Sequence, residues 1–348
     1  MASNMLRVAI LGASGYTGAE LVRLLSRHPH VAIVALTADR QAGKPAADVF
    51  PHLQVGNLPS LAKIDEVDWG GVDFVFCCLP HGLTQDVIAG LPRHLKIVDL
   101  SADFRLSDVA AYATWYGHEH HAPDLQKEAV YGLTEINREA VRKARLVANP
   151  GCYPTAAQLP LIPLLGEKLI DADDIIIDAK SGVSGAGRDV KLGSLYSEVT
   201  EGIHAYGIAG HRHAPEIEQG LSEAAGRPVI VNFTPHLVPM SRGILASIYV
   251  KMAPGVTVDR LRDTLAGRYR DEYFLRILPN GAAPATRHVR GSNFCLMSVH
   301  ADRVANRAIL MSVEDNLVKG ASGQAVQNMN AMAGFPEETA LEQLPLFP

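Results

Sequence analysis

Cys152 stands in the stretch Asn149-Pro150-Gly151-Cys152-Tyr153-Pro154-Thr155. Asn-Pro and Pro-Gly are turn dipeptides. A proline at 154 suits the first turn of a helix, where its missing N–H has no partner to lose. Ala156, Ala157, Gln158 and Leu159 then continue as helix formers. The pattern predicts a cysteine on a tight turn at a helix N-terminus. Unpaired backbone N–H groups and the helix dipole there favour thiolate over thiol. That is the chemistry of a nucleophile that forms a covalent intermediate. A small buried hydrophobe is the alternative role for such a cysteine. Cys77, Cys78 and Cys295 all sit in apolar runs and fit that alternative better.

A second group with chemistry is His211-Arg212-His213, between the glycine-rich Gly207-Ile208-Ala209-Gly210 and the helix start Ala214-Pro215-Glu216. His211 or His213 can serve as general acid/base near neutral pH. Ordinary surface or core roles are the alternative. Arg105, just past a strand end, can grip a carboxylate or phosphate in a fork; an ion pair with Asp103 or Asp108 is the competing role. Lys180 to Arg188 is a glycine- and serine-rich loop whose N–H groups can form an anion nest. A flexible surface loop is the bland reading there. His118-Glu119-His120-His121 resembles a metal cluster at first sight. Its contiguous side chains point different ways, and no second cluster has a zinc spacing, so a polar loop and no metal are expected.

These residues need elements to hold them. Leu6 to Leu11 reads as a buried strand. Gly12-Ala13-Ser14-Gly15-Tyr16-Thr17-Gly18 follows, then a helix from Ala19 to Arg27 and a second strand from Val31 to Thr37. Strand, glycine turn, helix and strand within about thirty residues form a dinucleotide-binding unit. Glycines let a backbone approach a pyrophosphate at the helix N-terminus. Gly12, Ser14, Gly15, Tyr16 and Thr17 are the candidate cradle. An acid after the second strand would hold the ribose 2′-OH of NAD, and an arginine the 2′-phosphate of NADP. The chain has Asp39 and Arg40; the reading leans to NADP, with Arg40 on the phosphate.

Val72 to Leu79 and Lys96 to Leu100 are further strands, with a helix from Leu83 to Leu91 between them. Pro80 lies where a parallel sheet presents ligands. After Asn149 the texture changes. Asp174 to Ala179, Pro228 to Phe233, Gly243 to Met252, Phe294 to Ala301 and Ala308 to Val313 read as strands. Val258 to Phe274 reads as a helix. Few helices among many strands indicate a mixed or antiparallel sheet. The expected fold class is α/β: a Rossmann-type parallel-sheet domain plus an α+β second domain with a mixed or antiparallel sheet. The expected domains are 1–148 with a C-terminal helix in 317–348, and 149–316.

With 348 residues, 47% hydrophobic and 20% charged, the chain has ample core material. A net charge of −5 argues against a nucleic-acid or anionic-membrane surface. Four cysteines, two of them adjacent, do not read as a disulfide framework; a reducing cytosol fits better. The opening Met1-Ala2-Ser3-Asn4-Met5 lacks the pattern of a signal peptide, and no run approaches the ~20 apolar residues of a spanning helix. A cytoplasmic protein is expected.

Taken together, these stretches resemble the N-acetyl-gamma-glutamyl-phosphate reductases of arginine biosynthesis, over nearly the whole chain. The carriers are the glycine turn, Ser101-Ala102-Asp103-Phe104-Arg105, the cysteine stretch, Lys180 to Arg188, Gly210-His211-Arg212-His213 and Asp315-Asn316-Leu317-Val318-Lys319-Gly320-Ala321. The resemblance implies NADP(H), and a homodimer or homotetramer built through the second domain. It implies reductive dephosphorylation of N-acetyl-glutamyl phosphate to the semialdehyde. Cys152 matches the family nucleophile and His211 its acid/base. Arg105, Ser181 and His213 are the candidate substrate binders; Pro80 and Asn316 are expected beside the nicotinamide. Two other readings stay open. One is a related acyl-phosphate reductase, acting on the aspartyl or aminoadipyl compound. The other is a non-catalytic NADP-binding sensor.

Overall fold

Strands buried on both faces can be apolar throughout, and such strands pair in parallel. Residues 6–11, 74–77, 96–99 and 146–148 have that character: Val8, Ile10, Phe74, Phe76, Ile97, Val98, Leu146 and Val147 are all fully buried. In a computed structural model of the chain, which describes residues 5–54, 56–190 and 192–347, they form the middle of a parallel sheet. The chain divides into two compact units, Met1–Pro150 with Ala321–Glu342, and Gly151–Gly320 with Gln343–Pro348.

The first unit holds β1 (Leu6–Leu11), β2 (Val31–Thr37), β3 (Leu61–Ala62), β4 (Phe74–Cys77), β5 (Lys96–Asp99), β6 (Ala129–Tyr131) and β7 (Leu146–Ala148). Their order is β3-β2-β1-β4-β5-β7-β6, and every neighbouring pair runs parallel. The order reverses between β1 and β4, which opens a crevice beyond their carboxyl ends. The glycine turn and the Pro80 loop leave the sheet there. The strand expected over 72–79 is shorter, and the first helix starts at Tyr16 and ends at Leu25. The short β3, β6 and β7 and the helices Val109–Tyr116 and Thr134–Lys143 carry too few periodic residues to announce themselves. The helix Gly323–Ala333 is buried all round from Gly323 to Met329. Its amides tie it into this unit: Gln324 Nε2 donates to Thr134 Oγ1 at 2.6 Å and Asn328 Nδ2 to Gly132 O at 2.8 Å.

The second unit holds β8 (Ile170–Gly182), β9 (His204–Ala205), β10 (Asn232–Val238), β11 (Ile244–Met252), β12 (Leu275–Ile277), β13 (Cys295–Ala301) and β14 (Arg307–Glu314). The order β12-β13-β14-β11-β8-β10-β9 mixes parallel pairs, β8 with β10 and β12 with β13, with antiparallel ones. In β11, Ile244, Ala246, Ile248 and Val250 are 0–1% exposed, while Leu245 and Tyr249 on the other face are half-buried. Helix Cys152–Gly166 packs on the buried face, and helix Ala214–Ala225 packs on that helix.

Three expectations change here. The central β8 spans Ile170–Gly182 rather than 174–179, because Asp171, Asp173 and Lys180 fall where the strand is half-buried or exposed and need no apolar type. The strand expected over 228–233 begins at Asn232 and runs through Pro235 to Val238. A proline is tolerated beside a neighbour as short as the two-residue β9. The helix expected over 258–274 ends at Arg268, because Leu275–Ile277 pairs with β13.

Candidate active site

Gly12 follows β1 with φ of +76°, and a Cβ there would lie 2.5 Å from Cys78 O. Only glycine lets the turn pass so close to β4. A Cβ on Gly18 would lie 2.6 Å from Ala13 Cα and 2.7 Å from Gly12 O, so this glycine seats helix Tyr16–Leu25 on the turn. Gly15 differs: it is the helix N-cap, and its nearest neighbour to an added Cβ is Gly12 O at 3.5 Å. Two glycines are consumed by packing, and the one between leaves room at a helix N-terminus where a side chain would otherwise stand. That is the fit a pyrophosphate requires. Ser14 and Thr17 are half-buried and Tyr16 exposed. Thr17 also hydrogen-bonds the Cys78 side chain, whose thiol burial pushes up to about 12. Asp39 and Arg40, both exposed, follow the end of β2, and Pro80, also exposed, follows β4.

The loops beyond β4 and β5 are braced by a buried acid. Asp103 accepts from Gly82 N at 2.8 and 2.9 Å, from Thr84 N at 3.1 Å and from Tyr112 OH at 2.7 Å. Asp99, fully buried, takes Ser101 N and Ser101 Oγ. Burial lifts its carboxyl to about 7 against those bonds. Arg105 is 8% exposed; its Nε donates to Asn149 O at 2.8 Å and its Nη2 to Leu100 O at 3.0 Å. The guanidinium therefore ties two backbone carbonyls together. In the histidine stretch, His120 is buried between Asp103 O and Ala122 N, His118 bonds Glu119 O, and His121 faces Asp86. The three rings serve separate partners.

In the second unit Gly151 is the N-cap and Cys152 the first residue of helix Cys152–Gly166, with Pro154 in its first turn. Cys152 is half-buried. The buried Glu216 accepts Gly151 N at 2.7 Å, and its backbone carbonyl accepts Gln158 Nε2 at 2.7 Å. One residue thus fixes the cysteine's helix to the histidine segment three positions before it. The His211 ring sits among Tyr153 at 5.7 Å, Tyr206 at 5.4 Å, Phe233 at 5.3 Å and His213 at 4.9 Å between centroids. Tyr206 OH donates to Tyr153 OH at 3.0 Å, and burial pushes the Tyr206 phenol up to about 12. The cysteine's charge bears on both tyrosines.

His213 N donates to His211 Nδ1 at 3.1 Å. A backbone N–H only donates, so Nδ1 carries the lone pair and the neutral ring's proton resides on Nε2. Burial, aided by the Arg212 charge, lowers His211 to about 4. Ser181 is 1% exposed, with Oγ on Gly182 O at 3.0 Å. Asn316 is 2% exposed and engaged at both ends: Nδ2 on Ser184 Oγ at 3.0 Å, Oδ1 taking Gly243 N at 2.7 Å.

His211 and His213 thus share one aromatic box with Tyr153, the residue after Cys152, and the cysteine's charge bears on Tyr153 and Tyr206. Arg105, Gly12, Ser14, Gly15, Tyr16, Thr17, Arg40 and Pro80 lie in the first unit, and Ser181 and Asn316 brace backbone in the second. Nothing in the sequence singles out Tyr153, Tyr206, Phe233 or Asp103 for the site, and Glu216 reads there only as a first-turn acid. Only Glu216 carried a signal, an acid at a helix start three residues after a histidine.

Two family models cover most of the chain. One described as "Semialdehyde dehydrogenase, NAD binding domain" matches residues 7–144, and one described as "Semialdehyde dehydrogenase, dimerisation domain" matches residues 152–316. A protein of Rhodospirillum rubrum named N-acetyl-gamma-glutamyl-phosphate reductase is 65% identical, over 99% of this chain and 100% of that one. The chain belongs to the N-acetyl-gamma-glutamyl-phosphate reductase family. A probable chloroplastic N-acetyl-gamma-glutamyl-phosphate reductase of Oryza sativa is 61% identical over 98% of this chain and 82% of its own. Among solved structures, aspartate semialdehyde dehydrogenase II from Vibrio cholerae aligns with a TM-score of 0.72 at 18% identity, covering 95% of this chain and 99% of that one. The enzyme of Candida albicans, solved with NADP, aligns with a TM-score of 0.69 at 18% identity, covering 94% and 98%. These two show a shared fold. Membership of the N-acetyl-gamma-glutamyl-phosphate reductases makes the chain an NADP-dependent oxidoreductase of arginine biosynthesis. No helix among the described residues is long and apolar enough to cross a membrane.

Proposed function

We infer that the chain reduces N-acetyl-L-glutamyl 5-phosphate to N-acetyl-L-glutamate 5-semialdehyde through a thioester on Cys152. The observation that carries this reading is a cysteine at the first position of a helix whose next residue, Tyr153, packs on a histidine whose ring proton is fixed on Nε2. The Cys152 thiolate attacks the acyl carbon, the C–O bond to phosphate breaks, and inorganic phosphate leaves with the bonding pair. The acyl group remains as a thioester. NADPH, when bound, supplies the hydride that reduces it. The oxygen then carries negative charge, and a donor preorganised for it lowers the barrier. His211 is that donor, through Nε2–H, as a neutral imidazole. The C–S bond then breaks, releasing aldehyde and returning the pair to sulfur.

Gly12, Ser14, Gly15, Tyr16 and Thr17 hold the pyrophosphate, Arg40 the 2′-phosphate, and Pro80 lines the nicotinamide side. Arg105, Ser181 and His213 are the proposed substrate binders, and Asn316 the proposed contact beside the nicotinamide. Arg40→Ala is expected to raise KM for NADPH by about tenfold or more, the value of one charge-assisted bond, and to leave KM for NADH unchanged. Equal losses for both cofactors would return Arg40 to a solvated loop charge.

The half-buried face of the second sheet, with Leu245, Tyr249, Ile309 and Met311, suits a homodimer or homotetramer contact. Four cysteines outside any disulfide suit a reducing compartment, the cytoplasm. The deciding assay runs the reaction backwards with N-acetyl-glutamate semialdehyde, phosphate and NADP. Appearance of reduced nicotinamide supports the reading. Turnover with aspartate semialdehyde or the aminoadipate semialdehyde instead would replace the substrate and keep the chemistry.

A further inference from the structure

Gly320 is buried beside the cysteine, and its φ lies outside the left-handed region. Backbone conformation therefore does not demand glycine there; space does. An added Cβ would lie 2.6 Å from Cys152 Cβ, 3.1 Å from Cys152 Cα and 2.8 Å from Glu314 Oε1. Real Cβ atoms do not approach that closely, so a neighbour must move. The Glu314 carboxylate is the end of a flexible side chain and can swing. The Cys152 atoms are at the start of a helix whose next residues, Tyr153 and Thr155, are 3% and 0% exposed, and whose N-cap N–H is held by Glu216.

The other side of the contact is equally fixed. Residues Val318–Ser322 form one turn of π-helix, a rare geometry often found at functional sites. Asp315 anchors it. Its Oδ1 accepts Leu317 N at 2.9 Å and Val318 N at 3.2 Å, its Oδ2 accepts Gly291 N at 2.7 Å, and its backbone carbonyl accepts Gly320 N at 3.0 Å. Asp315 is fully buried. A rigid turn thus presses its one side-chain-free residue against the nucleophile's Cα and Cβ.

We propose that Gly320 is a positioning residue: the turn anchored by Asp315 sets where the Cys152 side chain points, and only glycine at 320 permits that placement. The role rests on Cys152 being the nucleophile. A displacement of about one ångström at a reacting centre costs on the order of 100-fold in rate.

The test uses the full-length protein. Gly320→Ala should lose about 100-fold in kcat, keep its dissociation constant for NADPH, and change the rate at which iodoacetamide alkylates Cys152 by at least fivefold. Unchanged kcat and alkylation would overturn the role. If Gly320→Ala folds poorly, Cys152→Gly supplies the complement, since removing one Cβ makes room for the other. Most of the drop in thermal midpoint caused by Gly320→Ala should then vanish in the Cys152→Gly background. An equal drop in both backgrounds would show that the contact at 152 is not the constraint. Reductase activity in Cys152→Ala would instead sink the nucleophile itself. That separates failure of the chemistry from failure of the positioning.

Discussion

Cys152→Ala is expected to bind NADPH within about twofold of the parent and to turn over at least about 10,000-fold more slowly, the scale of losses when a covalent nucleophile is removed. The substitution deletes only Sγ. The Cβ that touches Gly320 stays, as do the Glu216 bond to Gly151 and the packing of Tyr153, so the fold should hold. The glycine cradle lies wholly in the first unit and has no part in the change. Without sulfur the acyl phosphate has no covalent path, and hydride would have to reach the acyl-phosphate carbonyl directly. Stopped reactions should show one acyl adduct per active chain in the parent and none in the variant, read by intact mass. The same measurement with iodoacetamide at pH 7 should find one modified residue. Cys77 and Cys295 are fully buried, burial raises the Cys77 thiol well above its usual value, and it pushes Cys78 up to about 12. Turnover above about 1% of the parent in Cys152→Ala would remove the thioester from the mechanism.

The sequence announced Cys152 because turn and helix signals are local. Pro150, Gly151 and Pro154 each act within a residue or two of themselves, and the N-cap and first turn follow from them. The glycine turn was legible for the same reason, flanked by two long apolar strands. What was hidden depends on residues far apart in the chain. Nothing near Arg105 says that its guanidinium would close on the carbonyl of Asn149. Asn316 looks available until Gly243 and Ser184 take both ends of its amide. Gly320 reads as one more loop glycine, because the atom it must not touch belongs to a residue 168 positions earlier (Cys152). The second sheet shows the same division. β11, apolar on one face and paired along both edges, was found within a residue. β8 is marked in the sequence only over Asp174 to Ala179, because the polar residues of its ends, Asp171, Asp173 and Lys180, are permitted by the sheet and not required by it.

His211→Gln and His211→Ala should separate a hydrogen-bond donor from a titrating acid. If Nε2–H stabilises the thiohemiacetal oxygen, His211→Ala loses on the order of 100- to 1,000-fold in kcat, the scale of losing one oxyanion donor. His211→Gln, whose amide N–H reaches roughly where Nε2 stood, recovers part of it. The pH dependence carries the sign. His211 titrates near 4 in the folded chain and near ~6.5 when unfolded, so the imidazole stays neutral from pH 8 down to pH 5. Its donor role therefore predicts no His211 limb in kcat over that range. Stability behaves differently. Between pH 6.5 and 4 the unfolded state takes up a proton that the folded state refuses. Stability is then lost as pH falls, by about 3 kcal/mol at most for this group. Asp99 works the other way: its raised folded value of about 7 makes stability fall as pH rises from 4 to 7. The wild-type curve alone is thus a sum of opposing slopes. The difference in thermal midpoint between His211→Gln and the parent isolates the histidine, and it should move in the variant's favour as pH drops from 7 to 4. A difference that stays flat, or a kcat limb near pH 6.5 abolished in His211→Gln, would make His211 a titrating acid/base rather than a neutral donor.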